Sequence, residues 1–126
     1  MNVPKNLKYT KDHEWVRLEG NKAWIGITDY AQSQLGDVVF VECTALNEKV
    51  EASAAIASIE SVKAVSDIYA PLGGTIVEVN TELENAPELV NEDAYAAWIA
   101  VIELESDVEY QELMSADDYL TLISVG

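Results

Sequence analysis

The chain has 126 residues, 49% of them hydrophobic, and 23 acidic against seven basic side chains give a formal charge of −16. That length suits one domain, residues 1–126, with an adequate core, and so anionic a surface repels phosphate backbones and anionic lipid, which excludes nucleic-acid binding. No run of about 18 apolar residues is present, and the opening MNVPKNLKYTKDHEW lacks the apolar block of a secretory signal, so the expected protein is intracellular and does not engage a membrane.

Taken in chain order, the strongest pattern is alternation of apolar and polar residues. EWVRL (14–18) and AWIGIT (23–28) flank the turn residues Gly20-Asn21, and VVFVE (38–42), AIASIE (55–60), TIVEV (75–79) and WIAVIEL (98–104) follow. Between the second and third, TDYAQSQLG predicts a short helix over 29–35, with Asp29 and Gln32 as a capping box, Ala31 and Leu35 on one face and Gly36 at the left-handed C-terminal position. Pro71 and Gly73-Gly74 end one strand near Ala70 and start another near Thr75. After the last strand, Ser106 with Glu109 and Ser115 with Asp118 predict short helices over about 107–123. The first presents Val108, Leu113 and Met114, the second Tyr119, Leu122 and Ile123. Their expected place is over an edge or end of the sheets, where they shield unpaired strand groups. The fold class is therefore mainly β, with a short internal helix and short C-terminal helices.

Two single-copy residues narrow the chemistry. Cys43 has no partner for an internal disulfide and sits in the apolar run VVFVEC, where a thiol behaves as a small hydrophobe. His13 has no second His or Cys nearby, so no metal site and no nucleophile–base pair is predicted. A weak internal repeat is also present: IASIE (56–60) resembles IAVIE (99–103), and VVFVE loosely echoes TIVEV, as two related β halves would require.

Charge singles out one more residue. Residues 50–126 hold sixteen acids and one base, Lys63, whereas residues 1–49 hold seven acids and six bases. Around it the alternation breaks: Ile59, Val62, Val65 and Ile68 recur every third residue, which no continuous strand keeps on one face. A turn at 61–64 makes AIASIE and VSDIYA the arms of a hairpin with Lys63 at or near its tip. Without Gly or Asn that turn is wider than the two-residue primed type. An exposed amine between small neighbours is a place to attach a group on a flexible arm, although an isolated lysine is more often a plain solvated charge.

Several segments in order resemble the glycine cleavage H-protein family over nearly the whole chain. They are LKYTKDHEWVR (7–17), GITDYAQSQLGDVVFVE (26–42), ESVKAVSDIYAP (60–71), GTIVEVN (74–80) and PELVNED (87–93). The resemblance implies a sandwich or barrel-like hybrid of antiparallel sheets of the lipoyl/biotinyl-domain type, with a lipoyl-type hairpin core at about 38–104 and the lysine in a hairpin turn. It implies lipoic acid in amide linkage on Lys63, and a non-catalytic, monomeric, cytoplasmic carrier. Such a carrier shuttles the aminomethyl group of glycine between glycine decarboxylase, aminomethyltransferase and dihydrolipoamide dehydrogenase after a lipoyl-attaching enzyme has modified it. It also implies that Glu14 and Asp67 border a cleft for the loaded arm, where a carboxylate pairs with the terminal ammonium. By themselves the two are ordinary surface or turn acids, and Trp15, Trp24, Trp98 and Tyr30 read as core aromatics. The chain departs from the family pattern at VNEDAYAAW (90–98), which lacks the usual Pro and Gly and predicts a rebuilt loop at 94–97. Asn47 and Ser53 likewise stand where glycines are usual, and Asn47 tolerates positive φ. A lipoyl relay to other enzymes and an unmodified interaction module are the competing readings. A biotin carrier would want Met beside the lysine, and a 2-oxoacid dehydrogenase lipoyl domain usually reads DKA and continues into a catalytic domain.

Overall fold

The alternating segments pair into two antiparallel sheets in the computed structural model, which describes residues 2–125. The first six-stranded sheet contains β1 (Lys8–Tyr9), β2 (Glu14–Glu19), β3 (Lys22–Ile27), β5 (Lys49–Val50), β8 (Gly74–Val79) and β9 (Ala100–Glu103), in the order β1-β2-β3-β9-β8-β5. The second is β4-β6-β7, formed by β4 (Val38–Cys43), β6 (Ala55–Ser61) and β7 (Val65–Tyr69). Period-2 burial supplies the packing between them: Val16, Ile25, Ile76 and Ile102 from the first sheet share one core cluster with Val41, Ile59 and Ile68 from the second. The broken alternation is resolved as expected, because Ile59 and Ile68 are buried whereas Val62 and Val65 on the intervening hairpin are 66% and 70% exposed. Cys43 packs half-buried against the same core, and burial raises its thiol pKa, as suits a small hydrophobe.

The sequence repeat maps onto matching substructures. β4 pairs with β6 and β8 with β9, both antiparallel, each with a register shift, and Ile59 and Ile102 both face the core.

Helix α1 (Asp29–Leu35) lies where the caps placed it, but its N-cap is Thr28, one residue earlier than predicted. The Thr28 hydroxyl accepts from Ala31 N at 3.2 Å, while Asp29 Oδ1 accepts from the Gln32 side chain at 2.8 Å. A hydroxyl at Thr28 reaches the third amide of the helix, which displaces Asp29 into the first turn. Gly36 closes the helix at φ 80°, donating to Gln32 O at 3.0 Å. Short α2 (Glu82–Asn85) and α3 (Leu89–Glu92) bury Leu83 and Val90. At the C-terminus, α4 (Val108–Gln111) and α5 (Ala116–Val125) follow Ser106 and Ser115, whose hydroxyls accept from Val108 N and Asp118 N at 3.2 Å. The N-cap of α4, however, is Asp107, one residue later than predicted, and the Glu109 carboxylate accepts from Gly73 N instead of closing a capping box. Of the predicted faces, Leu113, Met114, Tyr119 and Ile123 make contacts, whereas Val108 is 58% and Leu122 39% exposed, and Tyr110 and Ala116 pack in addition. Val108 stands at the start of α4, a single turn too short to hold it on a packed stripe. These segments do cover a sheet edge, since Tyr9 and Met114 exchange backbone hydrogen bonds of 2.9 Å beside β1.

The glycine-free loop turns around Asp93. Its carbonyl accepts from Ala96 N and Ala97 N at 3.2 and 3.0 Å, and its carboxylate accepts from Tyr95 N and Ala96 N at 3.2 and 3.3 Å, so positive φ is not needed. The Ala94 carbonyl accepts from Trp15 Nε1 at 3.0 Å. That indole lies directly on Gly26, where an added Cβ would stand 2.7 Å from Nε1. Gly26→Ala is expected to lower stability by about 2 kcal/mol through overpacking, read as a shift of the urea midpoint at unchanged slope. Asn47 and Ser53 both hold positive φ, 68° and 74°. Ser53→Gly removes a left-handed strain of about 1 kcal/mol, and a higher urea midpoint checks it.

Candidate functional site

Lys63 sits exposed on the connection between β6 and β7. The last paired residues of the hairpin are Glu60 and Val65, leaving four residues, 61–64, in the turn. None of them has positive φ, so the turn is the wider type expected. Ser61 replaces the missing glycine: its N–H donates to Ala64 O at 2.8 Å, and its hydroxyl accepts from Lys63 N and Ala64 N at 3.2 and 3.1 Å. The ion pairs among the described residues are Arg17–Glu19 and Lys49–Glu105, and Lys63 belongs to neither. Its aliphatic stem instead crosses the end of α1, where a Cβ on Gly36 would come within 3.3 Å of Lys63 Cε.

Beside that stem α1 forms one wall of a cleft of about 300 Å³. Tyr30, Ala31, Gln34 and Leu35 come from the helix, Asp12, His13 and Glu14 from the approach to β2, and Ile59, Ser66, Asp67 and Ile68 from the hairpin. The structure thus brings Glu14 and Asp67 to one cavity, although they lie far apart in sequence, and adds Asp12 as a third carboxylate. A larger cavity of about 490 Å³ lies between β5, the Gly73-Gly74 turn and α4, and contains none of Lys63, Glu14 or Asp67.

Glu14 and Asp67 differ in kind. Asp67 is exposed on edge strand β7. Glu14 is 3% exposed, and burial pushes its carboxyl up to about 7, opposed by hydrogen bonds from the Thr10 hydroxyl and the Tyr69 amide and assisted by nearby Asp12. Those bonds measure 2.7 Å from Thr10 Oγ1 to Glu14 Oε1 and 3.3 Å from Tyr69 N to Glu14 Oε2. Glu14 therefore also closes part of the open edge of β7. Next to it His13 holds φ 69°, and burial lowers its imidazole pKa below the ordinary value, with Asp12 acting the other way.

Tyr30 corrects the sequence reading. It is not a core residue but a half-exposed wall of the cleft, its ring centroid 4.9 Å from that of His13. Its place two residues after the helix cap turns it toward the cavity, which apolarity alone did not indicate. Trp15 is fully buried, while Trp24 and Trp98 pack half-buried against the second cluster, away from the cleft lining. Thr10, Thr28 and Tyr119, which hold the lining residues, gave no signal as site residues. Tyr119 lies 106 positions from His13, whose side chain it meets.

The residues of this cavity suit an acylated lysine: an apolar wall of Ile27, Ala31, Leu35, Ile59 and Ile68 for a hydrocarbon chain, and carboxylates for a cationic end. No group of three or more His, Cys, Asp or Glu residues among the described ones could hold a metal ion, and no helix is long and apolar enough to cross a membrane. The family model described as glycine cleavage H-protein matches residues 7–125. The chain is 52% identical over 124 residues to the glycine cleavage system H protein of Brevibacillus brevis, covering 98% of both chains. It is 53% identical to that of Halalkalibacterium halodurans, covering 98% of this chain and 97% of the other. The crystal structure of a glycine cleavage system H protein from Mycobacterium marinum superimposes with a TM-score of 0.87 at 35% identity, covering 97% of this chain and 99% of that one. With the lysine hairpin, the cleft and matches along almost the full chain in agreement, the protein belongs to the glycine cleavage H-protein family.

Proposed function

We propose that the chain is a cytoplasmic, monomeric carrier of glycine cleavage, with lipoic acid attached through an amide to Lys63. The observation that carries this reading is an exposed lysine on a hairpin tip, outside the ion pairs among the described residues, whose stem packs against Gly36 at the end of α1, the helix that walls a cleft with an apolar side and three carboxylates. Lipoate held on Lys63 would supply a dithiolane able to carry the aminomethyl group of glycine between the decarboxylase and the aminomethyltransferase and to be reoxidised as a dithiol by dihydrolipoamide dehydrogenase. The protein's own residues attach, position and shelter. Ser61 shapes the turn so that the Lys63 amine is presented to the attaching enzyme. Ile27, Ala31, Leu35 and Ile68 exclude water from the arm, and Glu14 and Asp67 accept hydrogen bonds from its terminal ammonium.

The test is intact mass after incubation with a lipoate ligase, followed by glycine decarboxylase and labelled glycine. One lipoyl group on Lys63 and label on the arm are expected. Lipoylation without label transfer would favour the relay reading, and absence of lipoylation the unmodified module.

A further inference from the structure

We propose that Tyr119, on the C-terminal helix α5, is a positioning residue for the cleft: its hydroxyl ties both cleft walls together and so controls how well a loaded arm is held. The proposal rests on the carrier reading above for its functional consequence. Tyr119 is fully buried, stacked on Tyr9 with ring centroids 4.8 Å apart and edge-on to His13 at 5.7 Å. Its hydroxyl lies 2.8 Å from His13 Nδ1 and 2.7 Å from Thr28 Oγ1. Thr28 is also fully buried and caps α1. One oxygen therefore joins the residue beside Glu14 to the helix that supplies Tyr30, Ala31, Gln34 and Leu35 to the opposite wall.

The donor count makes this more than packing. Tyr119 has one proton: it donates to His13 Nδ1 while accepting from Thr28, or it donates to Thr28 while accepting from His13 Nδ1. The Thr28 oxygen still accepts from Ala31 N in either order. Each order assigns His13 a single tautomer, and thereby the hydrogen-bonding character of its other nitrogen. The left-handed backbone of His13 is held by the same cluster, since Thr28 N donates to His13 O at 3.0 Å. Burying the Tyr119 and Thr28 hydroxyls beside half-buried His13 is tolerable because each polar group satisfies another.

Tyr119→Phe removes the oxygen and keeps the stack. Tyr9→Phe is the structural control, because the Tyr9 hydroxyl in the same stack donates to Pro4 O and touches neither cleft wall. Two readouts are compared. The first is the imidazole nitrogen shifts of His13 in the unlipoylated chain, and the second is amine release from the lipoylated chain loaded with glycine and the decarboxylase. In Tyr119→Phe the nitrogen shifts should move toward a mixture of tautomers and release should speed up about fivefold, the factor one ordinary hydrogen bond is worth. Tyr9→Phe should leave both readouts at the parent values. Unchanged His13 nitrogens in Tyr119→Phe, or equal release from the two variants, would overturn the proposal. If the parent Lys63 accepts no lipoate, the carrier reading fails separately. The wiring itself is then decided by the nitrogen shifts and by hydrogen exchange at Ala31 N, which must accelerate in Tyr119→Phe if Thr28 has lost its anchor.

Discussion

Replacing Lys63 by Ala or by Arg is expected to abolish lipoyl attachment and to reduce carrier turnover to the background of the decarboxylase alone, while the melting temperature stays at the parent value. The side chain is exposed at a hairpin tip and forms no ion pair among the described residues, so its loss should fall within about 0.5 kcal/mol in stability, as for most surface substitutions. Lys63→Arg is the sharper variant of the two. It retains the positive charge and the long stem across Gly36, yet a guanidinium is not a substrate for amide formation with lipoate. Loss of function in both variants therefore identifies acylation, and not charge, as what the position supplies. The measurement is intact mass after treatment with the ligase. A lipoyl gain on the Ala variant would place the attachment at another of the chain's lysines and remove the basis for the carrier reading.

The second large effect concerns Glu14. Its carboxyl is pushed up from 4.5 to about 7, chiefly by burial, so the folded protein binds this proton more tightly than the unfolded chain. Between those values the native carboxyl is protonated and the unfolded one ionised. Its contribution is thus fully present at low pH and is lost as pH rises through about 7, a total of about 3 kcal/mol by pH 8. Glu14→Gln is neutral throughout and can keep both partners, its amide oxygen accepting from the Tyr69 amide and its amide nitrogen donating to the Thr10 hydroxyl. Parent and variant stabilities measured in urea at pH 5, 6, 7 and 8 should therefore diverge in the variant's favour as pH rises. Parallel curves would show that Glu14 titrates normally.

The same group makes a prediction for the loaded arm. A terminal ammonium entering the cleft favours the ionised carboxylate, so docking releases a proton from Glu14 when the pH is below its raised value. Glu14→Gln combined with Asp67→Asn should speed amine loss from the loaded chain about tenfold at pH 8, the size of a charge-assisted hydrogen bond. The effect should shrink toward pH 6, where Glu14 is protonated in the parent. Equal rates of amine loss at pH 8 would leave the two carboxylates as structural and surface acids.

Burial, charge and sharp turns are recorded locally, and these were the features legible in the chain. Alternation located β2, β3, β4, β6, β8 and β9 because a half-buried strand requires it. The break at 61–64 identified a hairpin because no strand keeps Ile59, Val62, Val65 and Ile68 on one face, and the lone cation identified Lys63. The capping residues located α1 to within one position, and the segments shared with the family related Glu14 and Asp67 to a cleft. What the chain could not display is anything decided by contacts between distant residues. Glu14 is a carboxyl titrating near neutrality because folding removes it from water and presents the edge of β7 to it, neither of which its neighbours in HEW encode. Tyr30 became a cleft wall through the orientation of α1 against His13. Tyr119 reached His13 and Thr28 only when the C-terminal helix closed over β1. Local sequence thus determined the elements and the hairpin that carries Lys63, through periodicity and backbone preference, whereas the character of the cleft was decided by tertiary packing, because desolvation and long-range hydrogen bonds exist only in the folded chain.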